Sequence, residues 1–130
     1  MKNIAVYGSL RDGMYNHRLL ENEGAQLINK EIISVPFKMI PYSSFPALIP
    51  DKENHDVLME IYAVDDNVYR RVEILEGYPT FYDKEAVVDS LGNIAEVYVI
   101  RDESERLQKR YENTESICDW EDYYNKHFAR

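Results

Sequence analysis

The run Ile4-Ala5-Val6-Tyr7 stops abruptly at Gly8-Ser9-Leu10 and gives way to Arg11-Asp12-Gly13. A β-branched and aromatic segment bounded by glycine reads as a buried strand feeding a tight loop, which commits the chain to a sheet from its first residues. Glycine lets backbone N–H groups approach a ligand closely, and successive N–H groups in such a turn can hold an anion. The loop is therefore a candidate site for a carboxylate or phosphate at the C-terminal end of the first strand.

The 130 residues contain no internal repeat, low-complexity tract or linker, so a single domain over 1–130 is expected. The segment 25–39 is rich in Ile and Val and suggests strands broken at Pro36. The stretch 41–50 carries Pro41, Pro46 and Pro50 and reads as an extended edge segment, since proline donates nothing to a ladder. Asn16 is placed to cap a short helix through Leu19-Leu20 that ends near Gly24. Residues 57–64 alternate as a strand. Asp65 and Asp66 then cap a helix whose apolar positions Val68, Val72 and Leu75 recur at spacings of four and three, with Gly77 and Pro79 ending it. Strands over 81–89 and 94–100 flank the turn Leu91-Gly92-Asn93 and should pair as an antiparallel hairpin. Short helices are expected around 103–111 and 120–128. Strands outnumber helices, so the fold class is α+β with a mixed, largely antiparallel sheet, expected to close into a small barrel.

Fifteen Lys and Arg against twenty-four Asp and Glu give a formal charge of −9. A chain this acidic has no electrostatic reason to bind nucleic acid or an anionic membrane, so an anionic ligand must be held by local donors. Cys118 is the only cysteine, which excludes an intrachain disulfide and a cysteine-based metal cluster and fits a reducing cytoplasm. The N-terminus lacks a signal-peptide core, and no apolar stretch approaches the ~20 residues that span a bilayer. A cytoplasmic protein is expected; the oligomeric state is open, with a monomer as the default.

Among the carboxylates, Glu76 stands out as the last residue before Gly77. It falls at a helix C-terminus, where the macrodipole disfavours an ionised glutamate, and follows Val72 by four residues, on the flank of the buried stripe. Both effects push its pKa upward, the tuning of a general acid/base working near neutrality. Glu73 shares the turn but faces further from the stripe. His17, His55 and His127 show no ligand spacing, and Cys118 has no activating neighbour and reads as filler. Ser9 lacks the G-x-S-x-G setting of a nucleophile, and both phosphate-loop patterns are absent. The eleven tyrosines should be mostly half-buried strand residues, with a few lining a polar pocket.

Three blocks in order carry a resemblance to a known family. Val6-Tyr7-Gly8-Ser9-Leu10-Arg11-Asp12-Gly13, followed by Asn16-His17, resembles the opening of the γ-glutamylcyclotransferase-like proteins, in particular the γ-glutamylamine cyclotransferase branch. Phe45-Pro46-Ala47-Leu48-Ile49-Pro50 is similar to the family's proline-flanked segment. Leu75-Glu76-Gly77-Tyr78-Pro79-Thr80-Phe81-Tyr82 is similar to its Glu-Gly signature, with a tyrosine six residues after the glutamate. The tail 102–130 diverges, apart from Asp119-Trp120, which resembles a late tryptophan in related proteins. The resemblance implies a small mixed β-barrel with flanking short helices and no cofactor. It also implies a small-molecule γ-glutamyl substrate, bound by Tyr7, Gly8, Ser9, Leu10 and Tyr82, with Glu76 as the catalytic acid/base. The implied reaction turns a γ-glutamyl amine or peptide into 5-oxoproline and a free amine. The alternative is a non-catalytic binding module that uses the same pocket for a small carboxylate metabolite.

Overall fold

A computed structural model describes residues 1–21 and 24–128. Its sheet is built from β1 (Lys2–Val6), β2 (Ala25–Tyr42), β3 (Phe45–Val64), β4 (Asp83–Val88) and β5 (Ile94–Val99). The spatial order is β2-β3-β1-β5-β4, with every pairing antiparallel except the parallel contact of β1 with β5. A 3-10 helix (His17–Leu20) follows the first loop, α1 (Asp66–Glu76) follows β3, and α2 (Ser104–Tyr111) and α3 (Trp120–His127) follow the sheet.

The opening run takes the centre of this sheet. Successive side chains of a strand point to opposite faces, and here both faces are covered. Ile4 and Val6 join one core cluster, with Val68 and Val72 of α1 and Leu107 of α2. Ala5 and Tyr7 join the other, with Ile117 and Trp120. The mixed, largely antiparallel α+β class is as expected, and so is the antiparallel β4–β5 hairpin.

Four expectations need correction. The sheet does not close into a barrel: among the described residues β2 and β4 share no ladder, and bonds to side chains bridge the gap. Asn29 donates to Asp89, and Ser90 donates to Glu31, at 2.8 Å each. The proline-rich stretch 41–50 is no lone edge segment. It makes the tip of a long β2–β3 hairpin, with Tyr42 opposite Phe45 and Pro41 opposite Pro46. Pro36 does not break β2 but sits at a register shift: Val35 faces His55 and Phe37 faces Pro50, so residues 51–54 of β3 bulge out opposite the proline and its missing donor goes unneeded. Asn16 makes no side-chain cap; the element it precedes is 3-10, and its amide donates instead to Ser9 Oγ at 2.8 Å.

α1 follows its sequence signals closely at both ends. Asp65 accepts from the Val68 N–H at 2.8 Å as N-cap. Gly77 takes the left-handed conformation (φ 65°) at the other end. There the Tyr78 N–H donates to Glu73 O and the Gly77 N–H to Ile74 O, the paired bonds of a Schellman stop. Leu75 departs from the expected stripe and is 45% exposed, whereas Val68 and Val72 are buried.

Candidate active site

The loop after β1 is fixed by its carbonyls. Gly8 O accepts from the Arg11 N–H, Ser9 O from the Asn16 N–H, and Leu10 O lies 2.8 Å from His17 Nδ1. The backbone N–H groups of Gly8, Ser9 and Leu10 have no acceptor among the described residues. Glycine is required at position 8 by close approach: a Cβ there would lie 2.7 Å from Pro46 Cγ. Arg11, 1% exposed, anchors the loop from behind. Its Nε lies 3.3 Å from Glu60 Oε2 and its Nη1 2.8 Å from Asp119 Oδ1. Glu60, equally buried, also accepts from the Asp12 N–H and the Tyr62 hydroxyl, so this buried charge pair is well supplied with hydrogen bonds.

This loop forms one wall of a cavity of about 360 Å3, within the usual range for small-molecule sites. Tyr15 and Asn16 extend that wall. The β2–β3 tip contributes Ser44, Phe45 and Pro46, and the end of α1 contributes Leu75 and Glu76. Phe81, Tyr82 and Tyr98 complete it. All six residues singled out in the sequence, Tyr7, Gly8, Ser9, Leu10, Glu76 and Tyr82, line this one cavity. Tyr15, Asn16 and Tyr98 also line it but escaped sequence reasoning. The signal for Asn16 was read as a cap, and nothing local distinguishes Tyr15 or Tyr98 from the other tyrosines.

Glu76 is half-buried, and its carboxyl group has no hydrogen-bond or ion-pair partner among the described residues. Burial pushes its pKa up to about 7. Glu76 is also the last residue of α1, the position from which the sequence argued for a raised value. Glu73 is occupied elsewhere: Lys84 Nζ lies 2.6 Å from its Oε2 and also donates to the Tyr69 hydroxyl, which in turn donates to Glu96. Burial pulls the Lys84 ammonium down, but its bonds to Glu73 and Tyr69 outweigh this and hold it charged. Lys84 Nζ also sits 3.9 Å from the Tyr78 ring centroid, bracing the turn that follows Glu76.

The phenols of the cavity are kept neutral. Burial raises the pKa of Tyr7, Tyr82 and Tyr98, with the Glu76 charge a smaller contributor to each. The Tyr7 hydroxyl donates to Tyr98 O at 2.6 Å and the Tyr82 hydroxyl to Pro46 O at 2.8 Å. The Tyr98 hydroxyl is buried without a partner among the described residues. The site thus combines free backbone donors with one carboxyl group poised near neutrality. No cluster of three His, Cys, Asp or Glu side chains among the described residues is arranged to hold a metal ion. His55 pairs with Asp51, and Cys118 has its thiol pushed up by burial, away from the cavity lining.

An α+β domain with a walled cavity whose one lining carboxyl group among the described residues is pushed toward neutrality has the make-up of an enzyme. The profile of the "gamma-glutamyl cyclotransferase, AIG2-like" family matches residues 4–122, so the chain belongs to that family, and with it to the cyclotransferase enzymes. The match runs through α2 into α3, further than the divergence of the tail suggested. A candidate γ-glutamylcyclotransferase of Methanocaldococcus jannaschii is 31% identical over 90 residues, covering 67% of this chain and 71% of that protein. A γ-glutamylaminecyclotransferase of Rattus norvegicus is 31% identical over 94 residues, covering 67% of this chain and 62% of its own length. The crystal structure of a mouse AIG2-like protein superposes with a TM-score of 0.65 at 26% identity, covering 76% of each chain. No helix of the described residues is long and apolar enough to cross a membrane.

Proposed function

We propose that the chain cyclises a γ-glutamyl amine or γ-glutamyl peptide to 5-oxoproline with release of the free amine. The substrate's α-amino nitrogen attacks its own γ-carbonyl carbon; the new C–N bond closes the ring as the bond to the leaving nitrogen breaks. Nucleophile and electrophile are already tethered, so the main task is to hold the reactive rotamer, and good orientation is worth roughly 7–11 kcal/mol. The N–H groups of Gly8, Ser9 and Leu10 hold the α-carboxylate, each charge-assisted bond contributing about 1.5–3 kcal/mol. Tyr7 and Tyr82, whose hydroxyls are tied to backbone carbonyls, present their rings as rigid cavity walls.

Glu76 takes a proton from the attacking amine and returns one to the leaving nitrogen. One group can do both because its pKa, about 7, lies near the working pH, where neither transfer is steeply uphill. The observation that carries this reading is the unpartnered Glu76 carboxyl in the same cavity as the three free loop N–H groups.

The test is release of 5-oxoproline from a panel of γ-glutamyl amides by the wild-type chain and by Glu76→Gln. The expected result is turnover in the first and its loss in a folded second. Full activity in Glu76→Gln would remove the glutamate from the mechanism. Saturable binding without turnover across the panel would replace the enzyme by a binding module.

A further inference from the structure

A second hollow, of about 460 Å3, adjoins the first and shares Asn16 and Leu75 with it; Arg18, Leu19, Arg71 and Ile74 complete its lining. The 3-10 helix and the residue before it bring Arg18, Leu19 and Asn16, and the last turns of α1 bring Arg71, Ile74 and Leu75, the two elements lying against each other. Arg71, Ile74 and Leu75 are spaced i, i+3 and i+4, so one helix face carries a guanidinium beside two aliphatic side chains. Ile74 is 74% exposed. Arg18 and Arg71 are exposed too, and neither makes an ion pair among the described residues, whereas Arg11, Arg101 and Arg106 are each paired with carboxylates. In a chain of net charge −9 this hollow has two cations and no carboxylate among the described residues of its lining.

We propose that the hollow is the leaving-group subsite of the cyclisation, and that it takes an amine whose aliphatic chain ends in a carboxylate and carries no second ammonium. The inference rests on the reading of Glu76 given above. With the α-carboxylate on residues 8–10 and the γ-carbonyl at Glu76, the leaving nitrogen lies beside Glu76. Leu75, the next residue, belongs to both hollows, so a chain continuing from that nitrogen crosses Leu75 toward Arg71 and Arg18. Leu19, Ile74 and Leu75 offer apolar surface to its methylenes, and the guanidinium forks match a terminal carboxylate. A terminal ammonium meets two like charges and, among the described residues of the lining, no counter-ion. The other rim of the main cavity, formed by Tyr15, Phe45 and Phe81, is uncharged and would give no such preference.

The experiment compares kcat/KM for three γ-glutamyl amides of one chain length, ending in carboxylate, carboxamide or ammonium. In low salt the carboxylate is expected to lead the carboxamide by about tenfold, mainly through KM. The lead should shrink as about 0.5 M NaCl screens the exposed charges. In the double variant Arg18→Gln, Arg71→Gln the ratio falls to near one, and Arg71→Glu shifts preference toward the ammonium. A ratio near one in the wild-type chain, or a lead that survives the double variant, overturns the proposal. Calorimetric binding of the same amides to Glu76→Gln separates the two readings. An arginine-dependent preference for the carboxylate with no turnover by the wild-type chain keeps the subsite and overturns the cyclisation. No turnover and no preference overturn both.

Discussion

A single carboxyl group sets both the pH dependence of the proposed chemistry and part of the fold's. Glu76 must be ionised to accept a proton, so kcat/KM is expected to fall on the acidic side with an apparent pKa near 7, read from a pH–rate profile. The unfolded chain releases this proton near the ordinary glutamate value, the folded chain only near 7. Between those values the native state binds more protons, so the stability this group contributes is present at pH 4 and lost as pH rises through 7. Glu76→Gln should therefore raise the melting temperature at pH 8, by the equivalent of about 3 kcal/mol at most, and leave it little changed at pH 4. A gain of equal size at both pH values would mean that burial is not acting on the charge. Two tyrosines of the same cavity make a contrasting pair. Tyr82→Phe strips Pro46 O of its buried donor and should cost about 1–2 kcal/mol, whereas Tyr98→Phe removes a hydroxyl with no described partner and should cost nothing or stabilise. Thermal or urea melts distinguish them. The contrast was not legible in the sequence, because whether a phenol finds an acceptor depends on a strand 36 residues away for Tyr82.

At the scale of elements, α1 could be read almost residue by residue because its signals are local. Asp65 caps the first turn, Val68 and Val72 face the core, and only glycine enters the left-handed stop at position 77 without strain. The β4–β5 hairpin was equally readable, since its alternation is interrupted only by Leu91-Gly92-Asn93. The β2–β3 hairpin was not. Its four prolines argue locally for breaks and an edge, while the pairing of 18- and 20-residue strands absorbs them at a shift and at the tip. Closure failed for a related reason: alternation specifies faces, not whether the outer strands meet. The Gly77 stop also aims Glu76, so its loss should show in function as well as stability. Gly77→Ala forces a Cβ into the left-handed region 3.2 Å from Phe81 Cβ. The expected cost is about 1 kcal/mol in a denaturant melt, with kcat/KM reduced further than that loss of folded protein explains. An activity loss matching only the unfolded fraction would show that the glutamate keeps its place without the stop.

For the whole molecule, the question is what the divergent tail does, because the loop, the proline-flanked tip and the Glu-Gly turn all precede residue 102. A dispensable or partner-binding extension would leave the sheet intact when removed. The buried residues argue otherwise. Trp120 and Leu107 are fully buried, Trp120 in the cluster with Ala5 and Tyr7, Leu107 in the one with Ile4 and Val6. Asp119 caps α3 and also holds Arg11, whose other partner is the buried Glu60. The tail therefore closes both faces of the central strand and fixes the charge behind the candidate substrate loop. Removing everything after Arg101 should abolish cooperative unfolding, and Trp120→Ala alone should cost about 3–5 kcal/mol, both seen in circular-dichroism melts. Asp119→Ala separates the electrostatic part. It leaves the Trp120 packing in place but takes one carboxylate from Arg11, so a smaller stability loss should come with weakened substrate binding, read as a raised KM with kcat nearly unchanged. A tail that only covers apolar surface would give the reverse pattern: a large penalty for Trp120→Ala and no change in KM for Asp119→Ala. The two variants together decide whether the tail serves the fold alone or also positions the loop that lines the cavity.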